Sequence, residues 1–254
     1  MKAKLTGIPG SHPVVAAQLM LEHKGIPYRR RDLPNRIHKA ILPLLGYRGV
    51  TVPVLRLGPR RLEGTRAIAR ALDEVQRQPP LFPADTQTRR EVEAAEAWAD
   101  DVLQDCARKL AQWAVKRDHE ALWTIAADSY LPYPPRVLKA ILPALAPLIL
   151  ATFNVSDDAA RERLAALPAH LDRVDGWIAN GVIGGERPNA ADFQVATSIR
   201  LLLLLDDLRP AIEDRPAGRL AMRLVPHYPG RFRAVFPAEW LAPLRRAPEP
   251  RLAD

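Results

Sequence analysis

The chain has 254 residues, 48% of them hydrophobic, with a formal net charge of +8 and one cysteine. That length suffices for one large or two modest domains with real cores. The lone Cys106 excludes a disulfide framework and fits a reducing compartment. The most apolar window, 140–153, holds Pro143 and Pro147 and is too short to cross a bilayer, so it reads as a buried, kinked core helix. Residues 1–6 are strand-like and no basic segment leads into an apolar one, so no secretory signal is expected. Composition therefore predicts a soluble, cytoplasmic, globular protein, with no membrane partner.

Residues 2–6 alternate as a short strand. Residues 13–24 read as a helix, with Gly25 where a C-terminal glycine belongs. Residues 28–33 form a second strand and 37–45 a short helix. Residues 53–57 and 60–62 form a hairpin about Gly58-Pro59, and 65–76 is a clear helix. The order βαβαββα is that of a thioredoxin-like α/β domain, assigned to residues 1–78.

The proline-rich run Gln78-Pro79-Pro80-Leu81-Phe82-Pro83 is a stiff connector, with the linker placed at 79–84. Every periodic segment of 85–254 is helical: 89–116, 120–130, 136–153, 157–180 and 190–205. The last is apolar on most sides and should be the central buried helix. The stretch from Pro226 is proline-rich and reads as mostly irregular. The fold class is thus α/β followed by all-α.

Charge is divided unevenly. Residues 1–78 hold fifteen Lys/Arg against five Asp/Glu, a net of +10, and the remainder nets −2. A solvated basic face, a site for a small anion and a nucleic-acid surface all fit this excess. Alternation in a strand sends Arg29 and Arg31 to one face and Arg30 to the other, too short a run for a phosphate-tracking groove by itself. No zinc-finger, RNP-like or helix-turn-helix signature accompanies it, so no nucleic-acid partner is expected. The six histidines show no metal-ligand spacing and no nucleotide loop is present.

The candidate site residues lie in the first domain. Ser11 precedes Pro13, a residue favoured in a first helical turn, so its hydroxyl either caps that helix or donates to a bound anion, aided by the helix dipole. Stabilising a thiolate there would lower a thiol pKa from about 8.5 towards neutrality. His12 is a second candidate donor, or an exposed loop histidine. Gly64-Thr65 opens the third helix, where free N–H groups and a hydroxyl suit a carboxylate, or where Thr65 is a plain first-turn residue. In the second domain Asn189 and Asp192 have the spacing of a capping box and are assigned to folding. Cys106 reads as a packed small residue. Trp98, Asp101, Asp105, Gln112, Tyr130 and Tyr133 are candidates to line an apolar pocket.

Over residues 2–205 these features resemble the cytosolic glutathione transferase superfamily, in its Ser/Cys-type bacterial form. Ser11-His12-Pro13 through Lys24-Gly25-Ile26-Pro27-Tyr28 is similar to the family's first-helix pattern. Val52-Pro53-Val54-Leu55 looks like its cis-proline strand, and Gly64-Thr65-Arg66-Ala67-Ile68 stands at its "E/Q-S-x-A-I" signature. Gly185-Glu186-Arg187-Pro188-Asn189-Ala190-Ala191-Asp192 resembles its capped helix start. The resemblance implies a glutathione S-transferase-like enzyme that activates glutathione, or another low-molecular-weight thiol, for transfer to an electrophile. Its alternative is a non-catalytic binding protein for an apolar ligand or protein partner. It implies Ser11 and His12 as catalytic groups, with Val52, Pro53, Gly64, Thr65 and Lys39 contacting the thiol peptide and Arg36 as the neighbour that competes with Lys39. It also implies a cis Pro53, a homodimer and no metal. Two departures stand out: Gly64 replaces an acidic or amide residue, with Glu63 displaced by one, and His12 stands where the family has proline. The Ala- and Arg-rich composition points to a GC-rich, bacterial coding sequence.

Overall fold

The computed structural model describes residues 3–245. Strand β1 (Ala3–Gly7) lies inside a four-stranded sheet of order β2-β1-β3-β4. It pairs in parallel with β2 (Tyr28–Asp32) and antiparallel with β3 (Val54–Leu57), which turns through Gly58 into β4 (Arg60–Glu63). Helices α1 (His12–His23), α2 (Ile37–Leu44) and α3 (Thr65–Val75) complete the thioredoxin-like βαβαββα order. Gly25, at φ +62°, ends α1 by letting the chain turn left-handed, and Ile26 N–H reaches back to the Leu21 carbonyl. Strand alternation sorts the arginine run: Arg29 and Arg31 are exposed, while Arg30 turns inward to the buried Asp32.

The rest is helical: α4 (Thr86–Trp98), α5 (Gln104–Val115), α6 (Glu120–Ala127), α7 (Pro135–Leu150), α8 (Asp157–Ala179), α9 (Ala190–Leu202), α10 (Arg209–Ile212), α11 (Pro216–Leu224) and α12 (Ala242–Arg245). The single helix expected over 89–116 is interrupted by a π-helical turn, Ala99–Leu103, which leaves α4 and α5 in line but rotated in face. Every residue of α9 is buried, against α1, α4, α5 and α11, as its all-round apolarity predicts. Its start is a capping box. Asn189 Oδ1 accepts from Ala191 and Asp192 N–H, and the Asp192 carboxylate accepts from Asn189 and Gly184 N–H.

The sheet and the helices are joined by a buried cation. The Lys24 ammonium, at the end of α1, donates to Asp73 on α3, to the Gln76 carbonyl at 2.7 Å and to the Pro79 carbonyl at 2.6 Å, which satisfies its three protons. Asp73 in turn accepts from Leu81 and Phe82 N–H, and the Leu81 carbonyl accepts from Ala190 N–H at the start of α9. One continuous set of hydrogen bonds thus runs from α1 through the 76–82 connector to the central helix.

One sequence expectation fails here. The 140–153 window is not buried core: α7 lies on the surface, with Val137, Ile141, Leu145 and Leu148 exposed. An apolar sequence defines what a helix prefers, but α9 already fills the core position, and α7 packs mainly against α6. The stretch from Pro226 is irregular in backbone yet packed. Phe232 is fully buried, and Phe236 stacks on the buried Trp113 at 4.7 Å with Trp240 tilted beside it.

Asn189→Ala is expected to cost about 1 kcal/mol of stability, and Asp192→Ala about 2 kcal/mol or more because two N–H groups lose their acceptor. Lys24→Met, which strips the buried partner from Asp73 and two carbonyls, should cost about 3 kcal/mol. Urea unfolding of the three variants checks both the values and their order.

Candidate functional site

Sheet register assembles the site. Thr6 pairs with Val54, so the loop leaving β1 and the Val52-Pro53 step entering β3 sit side by side. Val54 also pairs with Glu63, which brings the turn into α3 to the same end. The Gly64 N–H donates to the Pro53 carbonyl at 2.9 Å. Ser11, Val52-Pro53 and Gly64-Thr65 therefore share one edge of the sheet, as their order in the chain suggested.

The Val52–Pro53 bond is cis. Val52 lies just outside the ladder, and neither its N–H nor its C=O has a hydrogen-bond partner among the described residues. It therefore offers one donor and one acceptor to an extended peptide. Ser11 is the N-cap of α1 through its carbonyl, which accepts from Val14 and Val15 N–H. Its hydroxyl makes no capping bond, so the capping alternative for that side chain is removed.

At the start of α3, Gly64 has φ +80° and ψ 155°, a region that L side chains rarely adopt. A Cβ there would meet nothing within 4 Å. The N–H groups of Thr65, Arg66 and Ala67 have no partner among the described residues, and Ile68 is the first to bond back, to the Gly64 carbonyl. The Thr65 hydroxyl is buried without a hydrogen-bond partner of normal geometry. Unpaired burial of such a group costs stability, and a carboxylate at this helix end would relieve it.

Glu63 does not replace the missing side chain at 64. Its carboxylate accepts from Arg48 and Gly49 N–H, both at 2.7 Å, and holds the loop that leads to Val52. The acid near Thr65 is Asp100, in the π-helical turn, a residue outside the candidates read from the sequence. Burial and the like charge of Asp101 push its carboxyl up, while Gln104, Arg66 and the Thr65 hydroxyl draw it back down. Its Oδ1 accepts from Gln104 and Gln194. No local sequence pattern announces it, because the π turn decides which of three acids faces α3.

His12 differs from expectation. It is buried beside Gln104 and Arg108 of α5, and desolvation, with the Arg108 charge second, lowers its pKa to about 3. Its ring is therefore neutral at physiological pH, with Nε2 unpartnered. Lys39 is exposed on α2, with no ion pair among the described residues. Its neighbour Arg36 reaches the Leu148 carbonyl on α7, at 3.5 Å. Of the expected pocket residues, Trp98 packs edge-on to His170 and Trp177 of α8, and Asp105 pairs with Arg163 of α8, so both face away from α3. Cys106 is buried and its thiol is pushed up to about 12, which leaves it no nucleophilic role.

The second half of the chain braces the Ser11 loop. Tyr228 donates to the Gly10 carbonyl at 3.0 Å, and Ile125 of α6 sits where a Cβ on Gly10 would be 2.7 Å from its side chain. Asp32 N–H donates to the Tyr130 carbonyl and the Asp32 carboxylate accepts from Tyr130 N–H, with Arg30 stacked over the Tyr130 ring. Between α6 and α7 lies an apolar groove of about 720 Å³, lined by Leu122, Trp123, Leu142, Pro143 and Leu150. Tyr228, Ile125 and Trp123 were beyond sequence reasoning, since only the long-range packing brings them here.

Residues 5–80 match the family model described as "Glutathione S-transferase, N-terminal domain". No curated protein matches the sequence. Among solved structures, the chain is similar to a GST-like protein from Pseudomonas syringae, at 21% identity and a TM-score of 0.58, over 99% of this chain and 78% of that one. It is similar also to a glutathione S-transferase from Sinorhizobium meliloti, at 20% identity and a TM-score of 0.57, over 97% of this chain and all of that one. A third neighbour is a glutathione S-transferase from Methylobacterium radiotolerans in complex with glutathione sulfonate, at 16% identity and a TM-score of 0.58, over 88% and 90% of the two chains. Residues 5–80 thus match the family's N-terminal domain, and the chain shares the fold of these glutathione S-transferase structures along its length.

The burial of His12 has a consequence for pH. Its folded pKa is depressed, so the unfolded chain binds the proton first and stability falls as pH drops from about 6.5 towards 3. This one group is expected to remove about 2 kcal/mol between pH 7 and 5. The pH dependence of the unfolding free energy from urea curves across that range should flatten by this amount in His12→Leu relative to the parent.

Proposed function

We propose that the protein is a glutathione S-transferase-like enzyme that binds glutathione, or a related low-molecular-weight thiol, and activates its sulfur for transfer to an electrophilic substrate. The observation that carries the reading is the buried Thr65 hydroxyl, without a hydrogen bond of normal geometry, beside three N–H groups at the start of α3 and the N–H and C=O of Val52, none of which has a partner among the described residues. These are the complements of a carboxylate and of an extended peptide backbone.

In this reading Thr65 and the α3 N-terminus hold the γ-glutamyl carboxylate. Val52 pairs with the cysteinyl backbone, and Pro53 fixes its approach. Asp100 supplies a negative charge for the γ-glutamyl ammonium in place of the side chain that Gly64 lacks. Ser11 donates its unused hydroxyl proton in a hydrogen bond to the thiolate, and the α1 N-terminus favours the same charge. Once the thiol proton has left to solvent, the sulfur lone pair forms the carbon–sulfur bond and the leaving group departs with its electron pair. His12 keeps a neutral ring under the first turn of α1. Lys39 contributes charge from solvent. The groove between α6 and α7 is the place for an apolar acceptor, because α6 also carries the Ile125 contact to Gly10. The enzyme reading includes a cytoplasmic homodimer of bacterial origin.

A second reading is favoured by one observation, the bare backbone at Gly64 with Glu63 committed to the 48–49 loop. In that reading the scaffold binds an apolar ligand or protein partner without chemistry.

Calorimetry with glutathione separates them. The enzyme reading expects binding in the millimolar range or tighter, weakened about tenfold or more by Thr65→Ala and by Asp100→Asn, since each removes a bond to a charged group. Ser11→Ala should retain binding and lose about a hundredfold in thiol transfer to an aryl halide. Absence of binding in the parent protein would leave the scaffold reading. Unchanged turnover in Ser11→Ala would remove that hydroxyl from the chemistry.

A further inference from the structure

One face of the sheet carries an alignment that no single segment encodes. Lys4 pairs with Arg29 on β2 and with Arg56 on β3, and Arg56 pairs with Arg61 on β4. Four cations from four strands thus stand in one row, all exposed, about 15 Å from end to end at the spacing of neighbouring strands. None of the four forms an ion pair among the described residues. Arg61 spends its Nε on the Leu45 carbonyl at 2.9 Å and Arg56 on the Gly58 carbonyl at 3.4 Å. Like charges directly opposite each other destabilise a sheet, so the row is a folding cost that the domain itself does not offset.

Exposed apolar side chains adjoin this row. The Leu45 that anchors Arg61 ends α2, next to Leu44, which is 85% exposed. Arg36, at the start of α2, is tied to Leu148 of α7, itself 55% exposed. From there Leu145 and Ile141 continue the apolar stripe along one side of α7. Neither α2 nor α7 contains an acidic residue, and both carry cations: Lys39 on the first, Arg136 and Lys139 on the second. Among the described residues no helix is long and apolar enough to cross a membrane.

We propose that this surface docks the protein onto an anionic lipid bilayer, with the row Arg29-Lys4-Arg56-Arg61 over the headgroups and the exposed leucines of α2 and α7 in the interface. Charge complementarity selects the occupant. The cation row suits a phosphate-bearing partner, since Glu63 on the same face is already engaged by the Arg48 and Gly49 N–H groups, and the adjoining leucines favour a surface with an apolar layer under its phosphates over a nucleic-acid backbone. Docking would place the groove between α6 and α7, and any apolar substrate in it, beside the lipid phase. The proposal is independent of whether the thiol site is active.

The test is sedimentation of the full protein with vesicles of phosphatidylcholine alone, or of phosphatidylcholine and phosphatidylglycerol in equal parts. The protein should sediment with the anionic vesicles, not with the neutral ones, and added salt should weaken the association. Each cation near such a surface strengthens partition about fivefold, so Arg29→Glu with Arg56→Glu should weaken it about 25-fold or more. Leu44→Asp with Leu148→Asp should abolish whatever binding survives in salt. All four positions are exposed, and circular dichroism checks that the variants are folded. Failure of the parent protein to sediment with anionic vesicles overturns the proposal. So does binding of duplex DNA with no vesicle binding, which assigns the row to nucleic acid. A light-scattering mass that halves in Leu44→Asp/Leu148→Asp, with vesicle binding unchanged, gives the apolar face to a second copy of the chain and also overturns it.

Discussion

The buried ammonium of Lys24 is the constraint on which the relation between sheet and helices depends. A charge taken out of water is tolerated only where every proton finds an acceptor. Its three acceptors come from the end of α3 and from the connector. Those groups can be close only if α1, α3 and residues 76–82 are all in place. Asp73 extends the same requirement to Leu81 and Phe82, and Leu81 extends it to Ala190, the first residue of α9. The connector is thereby fixed by polar satisfaction at both ends as well as by the stiffness of its prolines.

That fixed relation explains why the candidate site can be built from loops. Gly10 and Ser11 lie on a loop with few backbone bonds of its own, yet its carbonyl is held by Tyr228 and its surface by Ile125. The strand end beside it is held by the reciprocal Asp32–Tyr130 bonds, from the Asp32 N–H to the Tyr130 carbonyl and from the Tyr130 N–H to the Asp32 carboxylate. These braces come from the helical half and from the irregular stretch that follows α11. The Thr65 hydroxyl and the Val52 backbone have no hydrogen-bond partner of normal geometry among the described residues, inside an otherwise well-braced frame. Unpaired polarity of that kind marks a place for a ligand.

The same frame separates the two faces of the sheet. On one side, α1 and α3 cover Leu5, Leu55 and Leu57. On the other, α2 covers only the end nearest the site, through Leu42, Tyr47 and Val54. The remaining rung is the row of cations. Four of the cations in the basic residues 1–78 therefore act as one oriented feature.

What the sequence by itself determined is what short-range chemistry controls. The seven elements of the first domain, the glycine after α1, the turn at Gly58, the capping box at Asn189–Asp192 and the buried helix α9 all follow from spacing, turn residues and periodicity over a few residues. The edge that gathers Ser11, Val52-Pro53 and Thr65 was legible too, because strand order fixes it. Tertiary structure alone decided the rest. Burial of His12 depends on α5 arriving over α1. The part Asp100 takes near Thr65 depends on a π turn that shifts helical phase. Exposure of α7 depends on α9 having taken the core place that the apolarity of α7 also fitted. The alignment of Lys4, Arg29, Arg56 and Arg61 depends on register between strands up to about fifty residues apart in sequence. Each of these is a relation between distant segments, and a local pattern carries the preference of one segment but not the position of its partner.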